Sequence, residues 1–233
     1  MRFCWFFFLG VTCFLAPARW PAGVAAAGEP DQNTWIFDNI DHIGGHPTTV
    51  LGHPRVVDSP VGKAIEFNGV DDGILIDVHP LAGAKTFTWE AVFRPDGGNA
   101  EQRWFHLEEN PADGTNANDR MLFEIRVING RWCLDAFDKS ASGQMTLLDR
   151  SKLYDLGVWY HVAAVYDGHE FRSYINRVLQ GGGMVQLDAQ GAGRTAIGVR
   201  MNRVYYFKGA VRTARFTRRA LSPAEFLPIP IQR

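Results

Sequence analysis

The chain has 233 residues, with 24 Lys plus Arg against 25 Asp plus Glu and a formal net charge of −1. That balance gives no electrostatic reason to expect a nucleic-acid partner, and the length suits one domain with a sizeable core. Three cysteines in all exclude a disulfide-stapled scaffold.

The first segment predicts a signal peptide over residues 1–27. Arg2 supplies the positive start, Cys4 to Leu15 is nearly unbroken apolar sequence, and Val24-Ala25-Ala26-Ala27 is a small-residue cleavage step. The apolar run is about 12 residues, short of the roughly 20 that span a bilayer. No later run is long enough either. The mature chain, residues 28–233, is therefore expected to be a single exported domain, periplasmic or extracellular, with no membrane span. Cys133 would be its one cysteine, set between Trp132 and Leu134, where a buried inert thiol is expected.

After the leader, short apolar-alternating runs are punctuated by Gly, Pro, Asn and Asp, a pattern that predicts an all-β antiparallel sandwich with minimal helix. Strands are expected, in order, at Trp35 to Phe37, Lys63 to Phe67, Gly73 to Ile76, Phe87 to Phe93, Arg103 to Glu108, Met121 to Ile128 and Arg131 to Phe137. Further strands are expected at Trp159 to Tyr166, Glu170 to Asn176, Ala196 to Val199 and Tyr205 to Phe216, the last broken near Gly209. Ser222-Pro223-Ala224-Glu225 carries a Ser cap, Pro at the first position and Glu at the third, which predicts one helical turn.

Several of these segments, in this order, resemble a known family. Trp159-Tyr160-His161-Val162, then Phe171 to Arg177, Thr195-Ala196-Ile197-Gly198, Tyr206-Phe207-Lys208-Gly209 and Arg219-Ala220-Leu221-Ser222-Pro223-Ala224-Glu225-Phe226 resemble the second half of a laminin-G-like jelly roll, in the concanavalin A-like lectin/glucanase superfamily. Ala64 to Gly73 and Phe87 to Pro95 resemble its first hairpin and next strand. Two departures stand out. The family's usual Asn-Gly turn is Asn176-Arg177 here, and Arg212 follows Gly209-Ala210-Val211 where the family commonly has Asp. The resemblance implies a jelly roll with one concave sheet across which sugars lie.

Strand parity gives the candidate site, since alternate side chains project to opposite faces. Met121, Phe123, Ile125 and Val127 are expected in the core, with Glu124 and Arg126 pointing away. Phe105 and Leu107 are expected inward, leaving Trp104, His106 and Glu108 on the other face. Arg172, Tyr174 and Asn176 form the outward set of their strand, and Arg200 and Asn202 follow another strand at its end. If those strands are neighbours, the tips converge on one trough. Nineteen of the 24 cations are Arg, and the stretch between Asp188 and Glu225 holds eight cations and no acid. Arg recognises carboxylate and sulfate bidentately, so the trough suits a poly- or oligosaccharide, with acidic glycans as the sharper reading, and Trp104 offers a stacking platform.

Other readings use the same residues. A polysaccharide lyase would use His106 or Tyr174 as base, Tyr205 as proton donor, and Arg126, Arg172 or Arg200 to neutralise a uronate. A glycoside hydrolase would need a carboxylate pair such as Glu108 and Glu124. For an enzyme the leading candidates are His106, Glu124 and Arg126. A structural or adhesive surface protein would use the sandwich for protein contacts. Asp71 and Asp72, and separately Asp113, Asn116, Asn118 and Asp119, are oxygen-rich loops of the kind calcium takes, though turn formation explains them equally.

Overall fold

The computed structural model describes Met1, residues 31–110 and residues 118–231. The expected leader beyond Met1 and its cleavage site lie outside the described residues, as do Asp113 and Asn116. Among the described residues the strands are β1 (Gln32–Ile36), β2 (His42–Ile43), β3 (His46–Pro47), β4 (Thr49–Leu51), β5 (Arg55–Val57), β6 (Ala64–Asn68), β7 (Gly73–Ile76), β8 (Phe87–Pro95) and β9 (Glu101–Glu109). They continue with β10 (Arg120–Ile128), β11 (Arg131–Ser140), β12 (Gly143–Leu148), β13 (Tyr154–Asp155), β14 (Tyr160–Tyr166), β15 (Glu170–Ile175), β16 (Val178–Met184), β17 (Gly193–Ile197) and β18 (Lys208–Thr217). One 3₁₀ turn, Pro223–Glu225, follows, with the Ser222 amide and hydroxyl both donating to the Glu225 carboxylate at 2.9 Å.

The strands form two large antiparallel sheets facing each other across one core. The first runs β16-β15-β14-β8-β18-β6-β5, with β1 beside the second half of β18. The second runs β12-β11-β10-β9-β17-β7-β4, with β13 beside the start of β11. The space between them is filled by aromatic rings. Trp104 stacks flat on Phe93 at 4.1 Å and Trp89 lies 4.1 Å from Phe123. Trp132 meets Phe93 edge-on, and Trp35 does the same with Phe216. Each such ring buries a large apolar area, so this layer dominates the favourable side of folding. Cys133 is 1% exposed, the buried thiol expected from its flanks.

Two turns explain how strand parity is set. Asn129 and Gly130, both left-handed, close the β10–β11 hairpin with the two-residue turn whose twist matches paired strands. Asn176 and Arg177 do the same between β15 and β16, so the hairpin survives the missing glycine with Arg177 held at φ 70°. The break expected near Gly209 is instead a bulge at Arg212, where the pairing of β18 to β8 slips between Val211 and Thr213.

Candidate functional site

The outer face of the second sheet is built from β9, β10 and β11, and a bulge decides what it displays. Phe105 pairs with Phe123, but the next partner of β10 residue Glu124 is Arg103, which leaves Trp104 as the extra residue. A bulge puts two successive side chains on one face. Trp104 therefore joins Phe105 in the core, fully buried, and Arg103 emerges on the outside in its place. This corrects the expectation that Trp104 is a sugar platform.

Across this face Arg103, Glu124 and Asp135 form one row, and Glu101, Arg126 and Cys133 the next. Arg103 donates to one Glu124 oxygen at 3.0 Å and Arg126 lies 3.0 Å from the other. Arg126 also meets Asp135 at 2.5 Å. Burial, then the neighbouring Glu124 charge, pushes the Asp135 carboxyl up to about 6, even though Arg126 and Arg103 favour its ionised form. The network is incompletely bonded. Asp135 Oδ1, Arg126 Nε and Nη1, and Arg103 Nη1 are buried atoms without a hydrogen-bond partner.

The loop after β17 covers the remaining side. Met201 N donates to His106 Nδ1 at 3.0 Å, so the ring proton sits on Nε2. That Nε2 is itself unpartnered, 3.6 Å from Glu108. Burial first, then the charges of Arg200, Arg120 and Arg103, hold His106 well below its ordinary pKa, and it is neutral. Arg203 and Tyr205 in this loop both have left-handed backbones, a cost of order 1 kcal/mol or more each and a feature that clusters at functional sites. Tyr205 is 42% exposed and its ring lies 3.7 Å from the Arg103 guanidinium carbon.

Two adjoining cavities result. One, about 220 Å³, is lined by Arg103, Leu122, Glu124, Arg126, Asp135, Phe137 and Thr146. The other, about 350 Å³, is lined by His106, Glu108, Asn118, Arg194, Met201 and Asn202. Arg120 and Arg200 line both. A larger cavity, about 400 Å³, lies on the other sheet against Leu227 to Ile231; Arg212 and Thr213 also line it, and no carboxylate or histidine does.

The structure thus gathers His106, Glu108, Glu124, Arg126, Arg200, Asn202 and Tyr205 on one side of the molecule. It separates Arg172, Tyr174 and Asn176, which belong to the first sheet and cannot join the trough expected from parity alone. Arg172 pairs with Asp167 at 2.6 Å, Tyr174 packs edge-on against Phe226, and Asn176 Oδ1 accepts from His161 N. Parity on its own missed Arg103, Arg120 and Asp135. Asp135 carried a legible signal, an acid between Leu134 and Ala136 in a strand; Arg103 did not, because the bulge inverts the alternation.

Asp71 and Asp72 do not fit a cation site. Both Asp72 oxygens accept backbone amides, from His53 at 2.7 Å and Asn68 at 2.9 Å, and Asp71 accepts from the Asn68 side chain. These carboxylates build the turn. Among the described residues no group of three or more His, Cys, Asp or Glu is placed to hold a metal ion, and no helix is long and apolar enough to cross a membrane.

A family model described as the Concanavalin A-like lectin/glucanases superfamily, the laminin G 3 type, matches residues 68–226. No curated protein matches the sequence closely enough to count as a relative. Among solved structures, the chain is similar to domain 4 of AbnA, a GH43 extracellular arabinanase from Geobacillus stearothermophilus, in complex with arabinotriose. The TM-score is 0.61 at 20% identity, covering 83% of this chain and 94% of that one. It is also similar to the binding domain of Paraclostridial Mosquitocidal Protein 1 (TM-score 0.59, 16% identity, 83% of this chain and 50% of that one). The receptor binding domain of botulinum neurotoxin C/D mosaic serotype gives a TM-score of 0.61 at 13% identity, over 84% of this chain and 49% of that one. The chain spans about half the length of those toxin domains. At these identities the likeness is one of fold.

Proposed function

The chain belongs to the concanavalin A-like lectin/glucanases superfamily, and from that premise we propose that it is an exported carbohydrate-binding protein whose site is the outer face of the second sheet. The observation that carries this reading is the set of buried polar atoms without a hydrogen-bond partner on residues lining two adjoining cavities: Asp135 Oδ1 and Arg126 Nη1 in one, His106 Nε2 in the other. Orphaned buried polar groups are costly. A ligand dense in hydroxyls supplies the missing donors and acceptors. Tyr205 at the rim offers a ring for a pyranose face. That a similar jelly roll was solved with arabinotriose supports the ligand class.

Five guanidiniums (Arg103, Arg120, Arg126, Arg194 and Arg200) face three carboxylates (Glu108, Glu124 and Asp135) across the two cavities. The surplus of cations favours acidic glycans over neutral ones. Binding suits the geometry better than catalysis. Glu124 has a guanidinium on each oxygen and serves as a counter-ion. His106 has its acceptor nitrogen occupied by Met201 N, which leaves it a donor rather than a base.

Native affinity electrophoresis through gels containing pectin, alginate, a sulfated glycan or a neutral arabinan tests the reading. Retardation by an acidic glycan, reduced by Arg200→Ala, is the expected result. Migration unchanged in every gel overturns it.

A further inference from the structure

We infer that the ligand is a heteroglycan in which acidic sugars are separated by neutral ones, one anionic group seating between Arg120 and Arg200 and a neutral unit entering each flanking cavity. This rests on the carbohydrate-binding reading of the same site. The ridge between the cavities is purely cationic. Among the described residues the Arg120 side chain donates only to Asn118, through its carbonyl and side-chain oxygens, and lies over the Phe137 ring. Among the described residues, neither Arg120 nor Arg200 pairs with a carboxylate. Burial, then the Arg200 charge, lowers the Arg120 pKa, so the two guanidiniums destabilise each other until an anion lies between them.

The cavities on either side are different. One holds the carboxylates of Glu124 and Asp135, the other that of Glu108. Those carboxylates already occupy the cations of their own cavities, Arg103 and Arg126 in the first and Arg194 in the second, so a second acid group entering either would meet a like charge with no free guanidinium to balance it. A neutral sugar meets instead an unpartnered atom it can satisfy: Asp135 Oδ1, 1% exposed as a residue, accepts a hydroxyl, and His106 Nε2, also 1% exposed, donates to one. The site therefore selects by the spacing of acid groups, not by total charge. The ridge anion is a carboxylate or a sulfate ester, since both accept two guanidiniums.

Titration calorimetry with hexasaccharides tests this. The probes are an alternating glucuronate–N-acetylglucosamine chain, a consecutive oligogalacturonate and a neutral cello-oligosaccharide. The alternating chain is expected to bind about tenfold or more tighter than either of the others, and Arg200→Gln to bring it down to the neutral level. Among the described residues Arg200 bonds only through its backbone, to Val204 and Arg203, so a side-chain variant should fold; Arg200→Lys should keep part of the affinity. Chondroitin hexasaccharides with and without sulfate tell whether the seated group is sulfate or carboxylate, and a preference for either supports the ridge. Equal or tighter binding of oligogalacturonate overturns the spacing rule, as does an Arg200→Gln variant that keeps full affinity for the alternating chain. Neutral chains bound as tightly as acidic ones, unaffected by Arg200→Gln, overturn this inference while sparing the glycan reading. Failure of every probe overturns both.

Discussion

Charged clusters occupy the outer faces of both sheets, and they are bonded in opposite ways. On the first sheet Glu90 is fully buried. One of its oxygens meets His161 Nε2 at 2.9 Å and the Leu227 amide at 2.7 Å, and the other meets Arg215 at 2.6 Å. The C-terminal segment closes over it. Leu221 and Phe226 pack on Ala163, Val165 and Tyr174, and the Arg215 and Arg177 side chains donate to the carbonyls of Glu225 and Phe226. On the second sheet Glu124 and Asp135 also lie under guanidiniums, but among the described residues no strap covers them, and Asp135 Oδ1 and several of the guanidinium nitrogens have no hydrogen-bond partner. A sealed cluster with its acid fully bonded reads as architecture; an open one with orphans reads as a site awaiting something polar.

The largest effect that would test this contrast is on the sealed side. Arg215→Ala leaves Glu90 buried without its cation, and removing one partner of a buried pair costs about 3–5 kcal/mol. Urea unfolding should show a loss of that size, with glycan affinity of the remaining folded protein unchanged. A loss under about 1 kcal/mol would mean the cluster is no more structural than a surface ion pair.

The next effect is on pH dependence, where the two clusters have opposite signs. Burial raises Glu90, but hydrogen bonds from His161, Arg215 and Leu227 outweigh it and hold its pKa below the ordinary value. Its stabilisation is present above the unfolded pKa and is lost as pH falls through the folded one. Asp135 is raised to about 6. The folded state then holds a proton that the unfolded state has released, so stability falls as pH rises from about 4 to about 6 and stays lower above that. A shift of about two units is worth about 3 kcal/mol. Unfolding free energies measured across that range should flatten in Asp135→Asn, while Glu90→Gln should flatten the acid limb instead. The same slope in wild type and Asp135→Asn would remove Asp135 as its cause.

A smaller effect separates the open site from its own scaffold. Arg126 neutralises two buried carboxylates, so Arg126→Ala should lose stability as well as binding. Arg200 and Tyr205 should not. Arg200→Ala and Tyr205→Ala are expected to stay within about 0.5 kcal/mol of wild type in unfolding, yet Tyr205→Ala should weaken glycan binding about tenfold through the lost ring contact. Unaltered affinity in Tyr205→Ala would take the rim out of the site.

The same contrast explains what could be read from the sequence. The sandwich was legible because alternation, turn residues and the Ser-Pro-x-Glu cap agree with one another, and the core side of β10 follows parity throughout. The site was legible only where parity holds. His106, Glu108, Glu124 and Arg126 fall where alternation puts them, but Trp104 and Arg103 are exchanged by one extra residue in β9, which leaves no mark in an apolar-polar pattern. Sheet membership was not legible either. Parity says that Arg172 and Tyr174 point outward, not that outward on β15 is the opposite side of the molecule from outward on β10. Only the pairing order of the sheets decides that.

The smallest test concerns the strap that makes the first sheet sealed. Arg177 sits at φ 70° where glycine is the ordinary residue, a backbone cost of about 1 kcal/mol. Its side chain nonetheless donates to the Phe226 carbonyl at 3.2 Å, on the segment that closes over Glu90. Arg177→Gly relieves the backbone and removes that bond. The hydrogen bond is only part-buried and long at 3.2 Å, worth less than the strain, so a gain of about 0.5 kcal/mol is expected in thermal or urea unfolding. A loss of more than about 1 kcal/mol would reverse the order of the two terms. It would make Arg177 a fastener of the C-terminal segment, and the sealing of the first sheet would then depend on a side chain in the turn as well as on the apolar contacts of Leu221 and Phe226.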